Sequence, residues 1–480
     1  MLMRYNSRHI LWILMLSGVC LWAATLQGQP LTIEYPTKHT IYQREGNSNI
    51  GVVTVAGSYK GNGKEIEASF HGGPWTTICT YPVGGKFTGS FACPVGQGTL
   101  KIRIREMPTI TASVEQVSVG DIYVIAGQSN AAGWAGIAYE PLDDLPYVPS
   151  MYRRNLSQKW QRLQHPTSAS GNGAPWPLVM SYLSKEHNMP VGIITTAIGG
   201  AWLKQWLKSS NSHYRGMIGT VRKATRGSMK VRAVLWFQGE ADCNPSRKYA
   251  KISYNGSYDK YLSHLELMVA DMHRDMKLDT VYVGQIGNVP HIIGNDEIST
   301  RRNIYYIRKA LQDSWENPLI SPGPVTYDIA LDSEDIHIHF NSPEEMIPLA
   351  QRWAAAISQH TYRTGVGRGP ILQKATYQPK GQTVKLVFDK ELQISDFKHN
   401  PGDRAEGWFF EQGNHILTDK DVASTVIAKN IVYLKFNRNV TSHLAVSYGI
   451  DHDGDGKKIL RGLNNLPAEP FYTVRLGTAD

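Results

Sequence analysis

One short stretch, Asp121–Asn130, constrains the fold more than any other part of the chain. Its first half is an apolar run rich in β-branched residues, which predicts a buried strand. The run then breaks into Gly127-Gln128-Ser129-Asn130, so a serine lies just beyond the carboxyl end of that strand. In an open parallel α/β sheet, this edge is where ligands bind. Two interpretations of Ser129 are open here: a reactive hydroxyl, or the cap of the following helix.

Two further apolar runs end in the same way. Pro190–Trp202 ends around the pair Gly199-Gly200, and Val231–Asp242 ends in Gln238-Gly239-Glu240. If all three runs are parallel strands, Ser129, the glycine pair and the glutamine meet at one edge of one sheet. Acyl transfer needs such a set, because a nucleophile must be combined with donors aimed at the developing oxyanion. For each run taken alone, simple turn chemistry remains an alternative.

Strands alternate with helical segments through the middle of the chain. Leu178–Glu186 and Tyr258–Met276 have apolar residues at helical spacing, and Thr280–Val289 is typical of a fourth strand. Asn341–Trp353 opens with a capping residue, a proline and two acids, which predicts a helix start. This alternation predicts a parallel, doubly wound α/β sheet.

The flanking parts of the chain have a β-type pattern. A chain of 480 residues exceeds what one core usually holds, so several domains are expected. We predict a β-sandwich-like domain at 29–118, the α/β domain at 119–366 and a β-rich domain at 367–480. The acidic segment Asp451–Gly456 is predicted to be a turn and not a calcium loop, because the twelfth position, Gly462, cannot supply a bidentate carboxylate.

Residues 1–28 have the form of a secretory signal peptide, with Arg4 and Arg8 ahead of an apolar run. The expected location is therefore secreted or periplasmic, with no membrane span once the signal is removed; a lipid anchor at Cys20 and an uncleaved anchor are the alternatives. Export permits disulfides, and we expect a bridge between Cys79 and Cys93, with two unpaired thiols as the alternative. Cys243 is expected to be a passive thiol.

The chain carries a formal net charge of +9 that is spread over its length. Nucleic acid is not an expected partner, because the chain has neither a clustered basic run nor a recognition motif. A basic surface would attract anionic sugars, although so diffuse a charge adds little to the argument.

Three segments carry a resemblance to a known family: Gly127–Asn130, Ile198–Trp206 and Trp236–Glu240. They are similar to the signature blocks of the SGNH hydrolase superfamily and, within it, of the sialate O-acetylesterase family. The resemblance implies a flavodoxin-like, three-layer α/β/α domain that removes O-acetyl groups from sugars without a metal or organic cofactor. It implies Ser129 as the nucleophile. It also implies an oxyanion hole made by the backbone N–H groups of Ser129 and Gly200 (or Gly199) and the Gln238 side chain.

The general base is the harder assignment. The superfamily has an Asp-x-x-His motif late in the domain, but the residues three positions before His337 and His339 are Glu334 and Ile336. The family's His-Phe-Asn ending favours His339 as the base. Asp335 is the predicted orienting carboxylate, with Asp332 in reserve.

Several neighbours are predicted to contact the substrate or to act as an alternative base. In an extended segment His337 lies on the same face as His339, because side chains alternate with period two. The other members of this group are Gln128, Asn130 and Glu240. Two surface histidines before a helix remain the alternative for His337 and His339.

Together these features predict an exported serine esterase that deacetylates O-acetylated carbohydrate, foremost O-acetylated sialic acid. The alternatives are an acetyl xylan esterase or other polysaccharide deacetylase, and a non-catalytic carbohydrate-binding protein. The sequence leaves the oligomeric state open.

Overall fold

The structure of the protein is a computed structural model. It describes residues 31–60, 63–139, 144–148, 159–167, 173–210, 212–243, 254, 257–287, 297–329, 338–380, 382–394, 405–413, 415–449 and 458–478. The predictions for the leader 1–28 and the acidic turn 451–456 lie outside these residues, as do those for Asp332, Asp335 and His337.

The N-terminal part is built from strands, as predicted. They are β1 (Leu31–Tyr35), β2 (Ile41–Gln43), β3 (Ile50–Tyr59), β4 (Glu65–Phe70), β5 (Thr76–Thr80), β6 (Lys86–Pro94), β7 (Gly96–Ile104) and β8 (Met107–Gly127). Strands β1, β3 and β6 form one antiparallel sheet. In the other sheet β5 pairs with β4, β4 pairs with β7, and β7 pairs with the first half of β8. Apolar side chains from both sheets, such as Val53, Ile66 and Ile102, fill the space between them.

Strand β8 continues through the predicted domain boundary. Its 21 residues pair with β7 up to Val119, and from Asp121 they pair with strands of the central sheet. The change from a β-type pattern to alternating strands and helices predicted a domain boundary at residue 118. The backbone passes from one part to the other within a single strand, so the two parts share one 11-stranded sheet.

The central sheet is parallel and doubly wound. Its further strands are β9 (Pro146–Val148), β10 (Gln161–Arg162), β11 (Val191–Thr195), β12 (Ala233–Phe237), β13 (Thr280–Val283) and β14 (Ile320–Pro322). Their spatial order is β10-β9-β11-β8-β12-β13-β14, and every pair is parallel except the edge strand β10 with β9. Strand β8 therefore lies between β11 and β12.

Helices cover both faces of this sheet. They are α1 (Ser129–Ala132), α2 (Trp176–His187), α3 (Ser212–Ala224), α4 (Tyr258–Asp275), α5 (Glu297–Asp313) and α6 (Pro343–Ile357). Along β8, Val124 packs on the side of α3, α4 and α5, whereas Ile125 packs on the side of α2 and α6. Alternation of apolar side chains thus gives each face its own core, and the predicted three-layer α/β/α arrangement is confirmed.

The C-terminal part is again composed of strands: β15 (Leu372–Gln378), β16 (Thr383–Phe388), β17 (Leu392–Ile394), β18 (Trp408–Gln412), β19 (His415–Thr418), β20 (Val422–Ala428), β21 (Ile431–Phe436), β22 (Ala445–Tyr448), β23 (Leu460–Gly462), β24 (Phe471–Arg475) and β25 (Gly477–Thr478). They form sheets of five, four and two strands around one apolar core. Asp328 of the α/β domain accepts hydrogen bonds from Arg352 of the same domain at 2.6 and 2.7 Å, and it forms an ion pair with Arg461 of β23 at 2.7 Å. The contact with Arg461 links the α/β domain to the C-terminal part.

The expected bridge between Cys79 and Cys93 is not present, and both residues are free thiols. The segment between them is not a simple hairpin, because Cys79 pairs across to Ile66 in β4 whereas Cys93 pairs with Gly51 in β3. The two cysteines thus belong to strands of different sheets. Among the described residues, no helix is long and apolar enough to cross a membrane.

A buried ion cluster surrounds Asp121 at the point where β8 enters the central sheet. Its carboxylate accepts hydrogen bonds from Arg44 at 3.0 Å, from Arg232 at 2.6 Å, from Gln43 at 2.7 Å and from Tyr362 at 2.9 Å. Burial alone would raise the pKa of Asp121, but the two guanidinium groups outweigh it and lower that pKa. The cluster ties β2, β8, β12 and the segment after α6 to one carboxylate.

We expect Asp121→Asn to destabilise the protein by about 3 kcal/mol, because it leaves two buried guanidinium groups without their counter-charge. Urea denaturation at pH 7 measures this loss. Since the folded pKa is lowered, the contribution is present above about pH 4 and is lost as the pH falls through the folded value. The difference between the two proteins should therefore shrink in acid. Asp259→Asn, an exposed change in α4, is the control and should leave the denaturation midpoint nearly unchanged.

Candidate active site

The carboxyl ends of β11, β8 and β12 lie side by side, as the sequence predicted. Beyond them, Gln128 N–H donates to Phe237 O at 3.1 Å and Ile198 N–H donates to Gly127 O at 3.0 Å. These two bonds hold the loop after the central strand against the loops on either side. Ser129, the glycine pair 199–200 and Gln238 therefore converge at one edge of the sheet.

Ser129 is presented by a sharp turn at the end of β8. Gly127 has φ of 130°, and a Cβ built there would lie 2.1 Å from Phe237 O, so only glycine fits. Ser129 is the first residue of α1, and its backbone N–H belongs to the first-turn groups that lack an intrahelical acceptor. The N-cap position is Gln128, so Ser129 is not the cap of this helix.

The loop after β11 faces the same edge. Gly200 has φ of 68° in a turn closed by a hydrogen bond from Ala201 N–H to Ile198 O at 3.3 Å. Among the described residues, a Cβ built on Gly200 would meet no atom within 4 Å, so the space before this turn is open. Gly199, by contrast, is closed off, because its Cβ would lie 2.5 Å from Nε1 of Trp134.

His339 is brought to the serine loop by bonds on both sides of it. Asn130 Nδ2 donates to Ile338 O at 3.0 Å, and Gly136 N–H donates to Asn341 Oδ1 at 2.8 Å. Between these bonds, the His339 ring packs against Trp134, with 5.9 Å between ring centroids. The predicted nucleophile and the predicted base therefore belong to two segments that are fastened together.

Helix α6 starts directly after this histidine segment. The Glu345 side chain accepts hydrogen bonds from Asn341 N–H at 2.7 Å and from Ser342 N–H at 3.2 Å, which forms a capping box with Pro343 in the first turn. The predicted helix start is thus present, and it fixes where the histidine segment ends.

Asn130 and Glu240, predicted to contact substrate, instead form a buried pair. Asn130 Nδ2 donates to Glu240 Oε1 at 2.7 Å while it also donates to Ile338 O. Both side chains are buried, and burial raises the pKa of Glu240. The pair holds the His339 segment against the serine loop, and the predicted contact of Asn130 and Glu240 with substrate stays a prediction.

The Gln238 side chain, predicted to donate to the oxyanion, makes hydrogen bonds to other groups of the protein. Its amide nitrogen lies 3.1 Å from Gln128 Oε1, 3.1 Å from Ala201 O and 2.8 Å from Asp242 Oδ2, and its oxygen accepts from Tyr261 at 2.8 Å. An amide nitrogen has two hydrogens, so three acceptors leave none for a substrate. This corrects the expectation for the side chain in the conformation described.

Gln128 is held by the same network. Its Oε1 accepts from Gln238 and from Ala241 N–H at 3.0 Å, which turns its amide nitrogen toward Ser129 Oγ at 3.5 Å. Gln128 is therefore the side-chain amide next to the serine hydroxyl. From the sequence, Gln128 is predicted only to contact the substrate or to act as an alternative base.

Asp242 lies behind this network and was missed in the sequence. Its carboxylate accepts from Leu203 N–H at 3.0 Å, from Tyr254 N–H at 3.1 Å and from Gln238. Burial raises its pKa to about 6. A carboxylate four residues after Gln238 was the available signal. Its neighbour Cys243 is buried, and burial raises the pKa of its thiol, as expected of a passive residue.

A parallel α/β/α sheet with a serine, a glycine turn and a histidine segment at its carboxyl edge is the arrangement that the resemblance to the SGNH hydrolases implies. Residues 119–359, just over half of the chain, match the family described as carbohydrate esterase, sialic acid-specific acetylesterase. The chain belongs to this family, and it is accordingly a carbohydrate esterase.

Two relatives illustrate the range of similarity. The structure resembles a carbohydrate acetylesterase from Xanthomonas citri with a TM-score of 0.63 and 19% identity, over 92% of this chain and 99% of that one. This likeness is one of fold, and it includes the flanking β-domains. A probable carbohydrate esterase from Arabidopsis thaliana is 20% identical over 186 residues, which are 34% of this chain and 67% of that protein.

We expect Asn130→Ala to lower kcat for ester hydrolysis about a hundredfold with little change in KM, because the His339 segment loses its bond to the serine loop. Steady-state kinetics measure both constants. Asn430→Ala is the matched control, since Asn430 Nδ2 also donates to a backbone oxygen, Phe388 O, but in the C-terminal domain. An unchanged kcat in folded Asn130→Ala protein would show that this bond does not position the histidine.

Proposed function

We propose that the protein is an exported serine esterase that removes O-acetyl groups from O-acetylated sialic acid through an acetyl-enzyme intermediate. One observation carries the proposal: hydrogen bonds from Asn130 and Gly136 hold the His339 segment against the Ser129 loop, beside the open turn at Gly200. Membership of a family described as sialic acid-specific supports the choice of sugar. The formal charge of +9 favours an anionic substrate, although it is spread along the chain.

The reaction begins with attack of Ser129 Oγ on the acetyl carbonyl carbon, while His339 takes the hydroxyl proton. The carbonyl oxygen becomes an oxyanion, which the backbone N–H groups of Ser129 and Gly200 stabilise. His339 then gives the proton to the departing sugar oxygen as the carbonyl re-forms, which leaves an acetyl-serine. A water molecule attacks the acetyl carbonyl carbon while His339 takes one of its protons. His339 returns that proton to Ser129 Oγ as the acetyl–serine bond breaks, and acetate leaves. Asp335 is the proposed partner that orients His339.

Gln128 supplies the third oxyanion donor in this proposal. Its amide nitrogen is next to Ser129 Oγ, and its amide oxygen is anchored by Gln238 and Ala241 N–H. A donor that is anchored in advance needs no reorganisation when the oxyanion forms. Gln238 then contributes by orienting Gln128.

We expect Gln128→Ala to lower kcat about a hundredfold while KM changes little, because an oxyanion donor acts in the transition state. Initial-rate kinetics on an acetyl ester test this. Gln97→Ala is the matched control, since Gln97 lies in the N-terminal domain and its Nε2 also donates to a backbone oxygen, Asp144 O, at 3.2 Å. A rise in KM at constant kcat would assign Gln128 to substrate binding instead.

The proposed activity is tested by acetate release from O-acetylated sialic acid and from acetylated xylan. Ser129→Ala should reduce release to the level of the blank, and Ser263→Ala, an exposed serine of α4, should not. Faster release from sialic acid supports the proposal. Faster release from acetylated xylan would support the proposed mechanism but would show that xylan, and not sialic acid, is the preferred substrate.

Labelling with a fluorophosphonate separates the esterase from a carbohydrate-binding protein without activity. The wild-type protein should be labelled at one serine, and Ser129→Ala should not be labelled. A folded wild-type protein that resists the reagent and releases no acetate would overturn the catalytic proposal.

A further inference from the structure

Trp134 differs from every other tryptophan of the described residues. It is 43% exposed, whereas the others are buried or partly buried. A tryptophan is the largest apolar side chain, so an exposed one in a fixed position marks a surface for binding.

The backbone of Trp134 is fixed to the serine loop. Its N–H donates to Ser129 O at 3.1 Å, the bond that closes the turn after α1. The next residue, Ala135, exchanges two backbone hydrogen bonds with Gly173, each of 3.1 Å. The indole is therefore mounted on the same rigid turn as the serine.

The indole ring lies between the two other parts of the site. On one side it packs against the His339 ring, with an angle of 35° between the ring planes. On the other side its Nε1 edge occupies the space that a side chain at position 199 would need. Two contacts fix the ring, and the residue is still 43% exposed.

We propose that Trp134 is the platform on which the sugar ring of the substrate lies while its acetyl group is at Ser129. The C–H face of a pyranose is flat and apolar, and it complements an indole face, while the sugar hydroxyls stay in water. The ring that carries the ester must come within a few ångströms of His339, and the indole borders that space. This inference rests on the proposed function.

Trp134→Ala should lower kcat/KM for O-acetylated sialic acid about tenfold more than for ethyl acetate, which has no sugar ring. Trp134→Phe should recover most of the difference, because it restores a flat aromatic face, whereas Trp134→Leu should not. Trp75→Ala is the control: Trp75 is partly exposed in the N-terminal domain, with the Arg103 guanidinium 4.2 Å from its ring centroid. Trp75→Ala should leave kcat/KM unchanged for both esters.

An equal loss of kcat/KM on both esters would overturn the platform, since the indole would then act only through its packing on His339 and Gly199. Recovery by Leu as complete as by Phe would also overturn it. The ratio between the two esters is the readout, because a general loss of folded protein lowers both rates equally.

Binding measured without turnover separates this inference from the esterase proposal. In the Ser129→Ala background, calorimetry with O-acetylated sialic acid should show a Kd about tenfold higher when Trp134→Ala is added. Saccharide binding that depends on Trp134, in a protein that releases no acetate, would overturn the esterase and support the platform. Acetate release by the wild-type protein, with saccharide binding that does not depend on Trp134, would support the esterase and overturn the platform.

Discussion

The carboxylate of Asp121 is the interaction on which the rest of the structure depends. It lies in β8, the strand that belongs to both the N-terminal sheet and the central sheet, and it binds Arg44 from one part and Arg232 from the other. Two buried cations around one anion are stable only as a complete set. Because β8 ends at the Ser129 turn, this cluster at one end of the strand fixes the direction in which the serine is presented at the other.

At the reactive edge, the loops are fixed by close backbone packing and by neutral side-chain amides. The turn at Gly127 is closed by Phe237, and the His339 segment is held by Asn130 and by Asn341. Each of these bonds joins parts that are distant in sequence, and each lies within a few residues of Ser129. Such a site keeps its geometry without a substrate, which is the condition for electrostatic stabilisation of a transition state.

The fold and the convergence of strand ends were predictable, because apolar runs that end in glycine report directly on buried parallel strands. The continuation of β8 from one sheet into the other was not predictable, because a strand that pairs with two sheets has the same period-two pattern as one that pairs with a single sheet. Two other features were not predicted, for a related reason. They are the free thiols of Cys79 and Cys93 and the hydrogen bonds that the Gln238 amide makes within the protein. Both depend on which neighbour a side chain meets across the fold, and spacing along the chain does not contain that information.

Four buried carboxylates, two near domain contacts and two near the serine loop, differ in their partners. Asp121 and Asp328 face guanidinium groups, so their pKa values are lowered, and they join domains. Glu240 and Asp242 face amides, so burial dominates and their pKa values are raised. The second pair lies directly behind the serine loop, where a fixed cation would add a strong charge beside Ser129 and His339. The bonds among Glu240, Asp242 and the side chains of Asn130, Gln238 and Gln128 hold this region in place without such a cation.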